Sequence, residues 1–396
     1  MKKVLFVLKD MNVGGVEKSL ISLLNEMDFK EYKVTVLLLK NQGGFLNAIP
    51  KEVEVKVLEK YEMTESWVNN PPLLEIKKLL SMKHFDMAFK LFAGYIWYKL
   101  SRNMTLYYKM AFSEINSMEE EYDIAIAFTS IISYLTYFVK YKVKAPIKVG
   151  WIHFDVNKFN IDKKTTFSLH KDLDRIFVVS NEACENFIKI FPELKEKCEV
   201  KYNIVSRRYI DQMSQEKIID AVFDCNYDGI KIITLGRLSK EKGQDIIPKV
   251  ALMLKNQGVS FKWYLIGDGN LRAELEAEIS KKGLGENVIL LGTKTNPYPY
   301  LRQANLYVQT SVHEGFCISL AEARALYLPI ISTEFVGAAE QIKNQITGSI
   351  VKREAGVLYK EILKLINNHQ IRNEYIANMK AENIKYQIGA NYIKIK

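Results

Sequence analysis

Short apolar runs recur along this chain, each followed by a polar or glycine-bearing loop and then by a helix. That alternation constrains the fold more than any other feature. Lys2–Lys9 reads as a buried parallel strand. Asp10–Gly15 is a loop, and the next segment carries the helical stripe Leu20, Leu23, Leu24 and Met27. A strand over Val34–Leu39 completes a βαβ unit, so the chain is α/β. Further strands are expected at Tyr122–Phe128, Ile147–Ile152, Asp174–Ser180 and Glu199–Tyr202, with a helix over Glu182–Phe191. Ser206–Asp228 is polar and irregular and reads as a linker. A second series then follows: strands at Lys231–Leu235, Lys262–Ile266, Asn287–Leu291, Asn305–Gln309 and Pro329–Ser332, with a helix over Asp245–Asn256. The pattern predicts two Rossmann-like domains, residues 1–205 and 206–375, with a helical tail at 376–396 that packs back on the first.

Composition narrows the function. The formal net charge of +10 favours anionic partners, and it is spread along the chain instead of being gathered into a basic arm. No zinc finger, basic helix or nucleic-acid-binding aromatic motif appears, which argues against nucleic acid. Four cysteines are too few for a disulfide scaffold and show no metal-type spacing, so a reducing cytoplasm is the simplest setting. The early apolar run Val4–Leu8 is too short for a signal peptide. The longest uncharged run, Ile124–Val139, falls short of the about 20 apolar residues a membrane span needs.

Residues 60–120 depart from the alternation and read as a helical insertion. Between Lys77 and Lys109 stand Lys78, Lys83, Lys90, Lys99 and Arg102, against the single acid Asp86. Phe85, Phe89, Phe92, Tyr95, Trp97, Tyr98, Tyr107 and Tyr108 share that window. Two readings stand open. Basic and aromatic residues mixed on helices suit a membrane interface, and an aromatic stripe with solvated lysines also suits a local core.

The densest chemistry lies in Ser311–Ala323. Glu314 falls in a strand-to-helix loop beside Gly315, and Glu322 lies on the helix expected from Phe316 to Tyr327. The start of that helix offers free N–H groups and a positive dipole end, which suits a phosphate. Arg237 and Lys242 flank the loop Gly236–Gly243 after a strand, so both cations and Glu314 project to one rim of the second domain. Arg supplies a fork of donors and Lys a mobile point charge, a combination suited to a diphosphate. Gly14 and Gly15 permit close backbone approach at a helix start but lack the three-glycine dinucleotide fingerprint. His153 sits at a strand end, where ligands of open α/β sheets gather. Asp172 and Asp174 form an Asp-x-Asp triplet, read here as a solvated helix end, so no metal and no other cofactor is expected.

Glu-Gly-Phe-Cys-Ile-Ser-Leu-Ala-Glu-Ala resembles the signature of the retaining glycosyltransferases of family 4, which have the GT-B fold: two doubly wound domains facing each other across a cleft. Gly236-Arg-Leu-Ser-Lys-Glu-Lys-Gly243, Gly267-Asp-Gly269 and Asn296-Pro-Tyr-Pro-Tyr-Leu301 are similar to family motifs in the same order, over roughly 231–345. The amino half is less similar and carries Gly14-Gly-Val-Glu17, the segment around His153, Val179-Ser180 and Asn203. The resemblance implies that Arg237 and Lys242 bind the donor diphosphate with the backbone of Gly315, Phe316, Cys317 and Ile318. It implies further that Glu322 holds the ribose, and that Lys294, Thr295, Asn296 and Pro297 lie by the nucleobase. Glu314 would face the donor sugar, with His153 near the reacting centre and Gly14 and Gly15 closing over the donor. Three departures are visible. Tyr202-Asn-Ile-Val-Ser206 keeps only the Asn of the usual motif, Cys317 stands where Gly is common, and a glycine pair is reduced to Gly337.

The function implied is transfer of a sugar, retaining and without a metal, from a nucleoside diphosphate donor to a growing glycan. UDP-hexose or UDP-N-acetylhexosamine is the expected donor class. The acceptor is expected to be a surface glycan or glycoconjugate, lipid-linked at the inner membrane face. Two alternatives share the architecture: a non-catalytic nucleotide-sugar-binding partner subunit, and an epimerase or phosphorylase.

Overall fold

The computed structural model describes residues 1–158 and 161–382. It divides into two compact units, residues 1–17 with 27–202, and residues 18–26 with 203 onward.

The first unit is built on β1 (Lys2–Leu8), which leads into α1 (Gly15–Glu26). From Lys18 onward α1 belongs to the second unit. Then come β2 (Tyr32–Leu38), β3 (Glu54–Val57) and four helices, α2 (Tyr61–Asn69), α3 (Pro72–Ser81), α4 (Phe85–Ser101) and α5 (Thr105–Ala111). The alternation resumes with β4 (Ile124–Ala127), α6 (Ser133–Lys142), β5 (Ile147–Ile152), α7 (Lys163–His170), β6 (Arg175–Val178), α8 (Asn181–Ile190) and β7 (Cys198–Val200). These strands form one sheet in the order β3-β2-β1-β4-β5-β6-β7, all parallel. Val4 to Leu8 and Ile124 to Ala127 are all buried, as central strands covered on both faces must be. Ser180 caps α8 by accepting from Ala183 N at 3.2 Å.

The second unit begins with α9 (Arg207–Met213). Its elements are β8 (Ile230–Leu235), α10 (Ile247–Asn256), β9 (Phe261–Ile266), α11 (Arg272–Lys281), β10 (Val288–Gly292), α12 (Tyr298–Arg302), β11 (Leu306–Gln309), α13 (Ile318–Ala325), β12 (Ile330–Thr333), α14 (Ala338–Gln341), β13 (Ser349–Val351), α15 (Ala355–Asn367) and α16 (His369–Ala381). The sheet order is β10-β9-β8-β11-β12-β13, again parallel. Ile246, Ile247, Val250, Ala251 and Leu254, in the segment expected to be helical over Asp245–Asn256, are buried.

Several expectations are corrected. The supposed linker holds α9, capped by Ser206, whose hydroxyl accepts from Tyr209 N at 3.3 Å, and anchored by buried Ile210. The expected helix from Phe316 to Tyr327 is shorter at both ends. Cys317 adopts φ +61°, outside the helical region, and Tyr327 adopts φ +57°. Strand β3 went unread because an edge strand needs only partial burial; Val55 and Val57 stay exposed. Of the expected tail, residues 376–381 continue α16, Glu382 is its C-cap, and 383–396 lie outside the described residues.

The helical insertion divides its aromatics. Tyr107, Tyr108 and Phe112 join buried Trp67, Leu91 and Phe138 in one core. Phe85, Phe89, Phe92 and Trp97 stand in solvent. Among the described residues no helix is long and apolar enough to cross a membrane.

Candidate active site

The strand order of the second unit reverses between β8 and β11, so the connections leaving those two strands run in opposite directions along the sheet. That switch point is where open α/β sheets bind ligands. The loop after β8 carries Arg237 and Lys242, and the loop after β11 carries Glu314. Hydrogen bonds join the loops directly: Val312 N donates to Glu241 O at 2.9 Å, and the Thr310 side-chain Oγ1 donates to Lys242 O at 2.9 Å.

Glycines bring the backbones this close. Gly243 adopts φ +65°, and a Cβ there would lie 2.3 Å from Thr310 O. A Cβ on Gly269 would lie 2.3 Å from Leu238 O, so the Gly267-Asp-Gly269 turn after β9 packs under the Arg237 loop.

Lys242 Nζ donates to Glu314 Oε1 at 2.6 Å. Burial works to lower the Lys242 pKa, but the adjacent Glu314 carboxylate outweighs it and the ammonium is held above its ordinary value. Ser311 Oγ donates to the same Glu314 oxygen at 2.7 Å. Behind it, Gln309 Nε2 donates to Ser311 Oγ at 2.6 Å, and Tyr307 OH donates to Gln309 Oε1. Tyr307, Gln309 and Ser311 are all buried, so Glu314 rests on a closed polar relay. Sequence reading missed these three. The available signal was Gln309, a polar residue inside an otherwise apolar buried strand.

Arg237 is exposed at the same rim. Burial acts to raise the Glu241 pKa, but hydrogen bonding and the charges of Arg237 and Lys242 bring it below the usual value.

Cys317 precedes α13 in the left-handed region, which explains why glycine would suit the position. Its thiol is pushed far up, first by burial and then by Glu314, so it is a neutral packing group. Gln341 Nε2 donates to Phe316 O and holds the approach to the helix. The first N–H groups of α13 have no partner within the helix, as at any helix start.

Glu322 is buried one face along α13. Its Oε1 accepts from Tyr298 OH at 2.8 Å and from Lys18 Nζ at 2.8 Å, Lys18 being one of the α1 residues that belong to this unit. Lys294 Nζ pairs with Asp220 Oδ2 at 2.6 Å, and Asn296 Nδ2 donates to Met213 O at 2.9 Å. Thr295 and Pro297 lie on the same β10–α12 connection.

The structure therefore brings together Arg237, Lys242, Glu314 and the start of α13. Gly14, Gly15 and His153 belong to the first unit. There the strand order reverses between β1 and β4, and Gly14 and Gly15 follow β1. His153 follows β5 and is buried against Trp151, ring centroids 5.6 Å apart, and Phe128, 4.5 Å apart. Asp172 and Asp174 are engaged by protein groups: Asp172 Oδ2 with Lys140 Nζ at 2.6 Å, Asp174 Oδ2 with Lys148 N at 2.7 Å.

Residues 215–382, which contain Arg237, Lys242, Glu314 and α13, match the family described as glycosyl transferases group 1. They form a group 1 glycosyl transferase domain. An uncharacterized glycosyltransferase of Methanocaldococcus jannaschii is 31% identical over 165 residues, covering 42% of this chain and 41% of that protein. The Campylobacter jejuni N-acetylgalactosamine-N,N'-diacetylbacillosaminyl-diphospho-undecaprenol 4-alpha-N-acetylgalactosaminyltransferase is 26% identical over 223 residues, covering 55% of this chain and 58% of that one. The matches thus span about two fifths to three fifths of the length of these curated relatives. Among solved structures, Anabaena HepE in complex with UDP-glucose superimposes with TM-score 0.67 at 18% identity, covering 96% of this chain and 94% of that chain. The group 1 domain and the parallel-sheet unit before it therefore share the GT-B fold class.

Proposed function

We propose that this protein is a retaining glycosyltransferase. It would move a hexosyl or N-acetylhexosaminyl group from a UDP-sugar to a growing, lipid-linked glycan in bacterial surface polysaccharide synthesis. The observation that carries the reading is the Lys242–Glu314 pair at the switch point, 2.6 Å across, beside Arg237 and the start of α13. UDP as the base-bearing group is supported by its presence in the Anabaena structure, and a polyprenyl-linked acceptor by the name of the Campylobacter relative.

In this reading Arg237, Lys242 and the amides of Gly315, Phe316, Cys317 and Ile318 receive the donor diphosphate. They oppose the charge that grows on the leaving oxygens, a stabilisation that needs no divalent ion. Glu322 holds the ribose hydroxyls, and Lys294 to Pro297 border the nucleobase. Glu314 faces the donor sugar. For Gly14, Gly15 and His153 the reading keeps the roles that the family resemblance implies. The reaction is taken to run in the cytoplasm at the inner membrane face, where a lipid-linked acceptor is presented.

The test is a sugar-nucleotide panel screened by thermal shift and then by turnover with product analysis. A donor that stabilises the fold and releases UDP only with an acceptor, giving a product of unchanged anomeric configuration, supports the reading. Nucleotide binding without turnover would point to a partner subunit, and conversion without acceptor to an epimerase.

A further inference from the structure

Helix α4 is inverted in its polarity. Met87, Ala88, Leu91 and Gly94 face inward, and Gly94 lets the helix sit where a Cβ would be 2.8 Å from Tyr107 Cα. The opposite face should be polar. Instead Phe85 is 62% exposed, Phe89 72% and Leu100 77%, with Phe92, Ile96 and Trp97 also in solvent. Residues 85, 89, 92, 96 and 100 follow the 3.6-residue repeat and fall within an arc of about 80° at 100° per residue. A continuous apolar ridge of this kind marks an interaction surface.

The surroundings of the ridge are basic. Lys77, Lys78, Lys83, Lys99, Arg102 and Lys109 are exposed, and among the described residues none has an ion-pair partner. Lys90 alone is paired, with Asp86 at 2.6 Å and Glu114 at 3.6 Å. On the helical wheel Lys90 and Lys99 fall on opposite sides of the apolar arc. Leu73, Leu74 and Leu80 on the neighbouring α3, and Met82 in the turn between the helices, extend the apolar surface.

We infer that this α3–α4 hairpin docks on the surface of a bilayer with acidic headgroups. Phe85, Phe89, Phe92, Ile96 and Leu100 enter the headgroup–acyl boundary while the flanking lysines meet lipid phosphates. An interfacial helix needs this pairing of an apolar face with flanking cations. Charge complementarity selects the occupant. A second copy of this chain seated symmetrically on the same ridge would bring one cluster of unpaired cations against its twin. The inference gives a place to the membrane location in the proposed function, but its test uses no donor or acceptor.

The experiment is co-sedimentation of the full chain with phosphatidylcholine vesicles, with and without phosphatidylglycerol, in low and high salt. The wild-type protein is expected to bind only the vesicles containing phosphatidylglycerol and to release in high salt. Combined Phe85→Ser, Phe89→Ser and Phe92→Ser should abolish binding. Combined Lys77→Gln, Lys78→Gln and Lys83→Gln should weaken it about a hundredfold. All six positions are exposed, and unchanged thermal melts confirm folding. Single Phe89→Ser, expected to weaken binding measurably, serves if the triple variant melts early. No vesicle binding by the wild type, equal binding by the variants, or a concentration-dependent dimer that the serine variant abolishes would each overturn the inference. Turnover on a soluble acceptor is read separately: activity without vesicle binding sinks the docking surface alone, and vesicle binding without activity sinks the transferase reading alone.

Discussion

Lys242 Nζ lies 2.6 Å from Glu314 Oε1, and the pair joins the loops after β8 and β11. One partner comes from each side of the sheet's point of reversal, so the pair exists only because the fold places those loops together. A diphosphate arriving at Lys242 competes with Glu314 for the ammonium. Glu314→Gln should therefore bind UDP several-fold more tightly while transferring sugar more slowly. Calorimetric titration with UDP beside a turnover assay checks both. Weaker UDP binding in the variant would contradict this account of the pair.

Gly269 makes a similar argument through shape. A Cβ there would fall 2.3 Å from Leu238 O, in the loop that carries Arg237. Gly269→Ala should displace that loop, cost about 2 kcal/mol or more of stability as overpacking does, and weaken UDP binding. Gly285→Ala is the control, since a Cβ at Gly285 meets nothing within 4 Å. Denaturant unfolding of the two variants should separate them.

Cys317 holds φ +61° at the entrance to α13. A non-glycine residue in that region carries roughly 1–2 kcal/mol of strain, and a β-branched one more. Cys317→Gly should keep stability within about 1 kcal/mol, because strain relief offsets the lost thiol packing. Cys317→Val should lose about 2 kcal/mol or more. Equal melting of the two variants would contradict the backbone reading.

His170 gives a pH dependence. It is buried, its Nδ1 lies 2.8 Å from Thr166 O, and burial lowers its pKa from 6.5 to about 4. The unfolded chain takes up a proton near pH 6.5 that the folded chain refuses until about pH 4. The stability difference is fully present above 6.5 and is lost as pH falls through that window, by about 3 kcal/mol. His170→Gln should remove this part of the slope, measured by chemical unfolding at several pH values.

The two Rossmann-like units were legible because buried parallel strands write themselves as apolar runs, as in Val4–Leu8 and Trp263–Ile266. Arg237, Lys242 and Glu314 were legible as residues at strand ends, where the topology sends ligand groups. Helix α9 was not, since Ser206 and Ile210 are a faint signal inside a polar stretch. The relay of Tyr307, Gln309 and Ser311 was hidden for another reason: only the folded backbone shows that alternate residues of one strand and its loop share a partner. The outward ridge of α4 could not be separated from a local core by periodicity, because inward and outward apolar faces have the same repeat.

Turnover of the preferred UDP-sugar by Lys242→Ala, compared with wild type, tests the central claim most directly. One donor aimed at developing charge contributes about 10²–10³-fold in rate. The account predicts a loss of that size with an unchanged thermal melt. A folded Lys242→Ala protein that transfers sugar at close to the wild-type rate would contradict it.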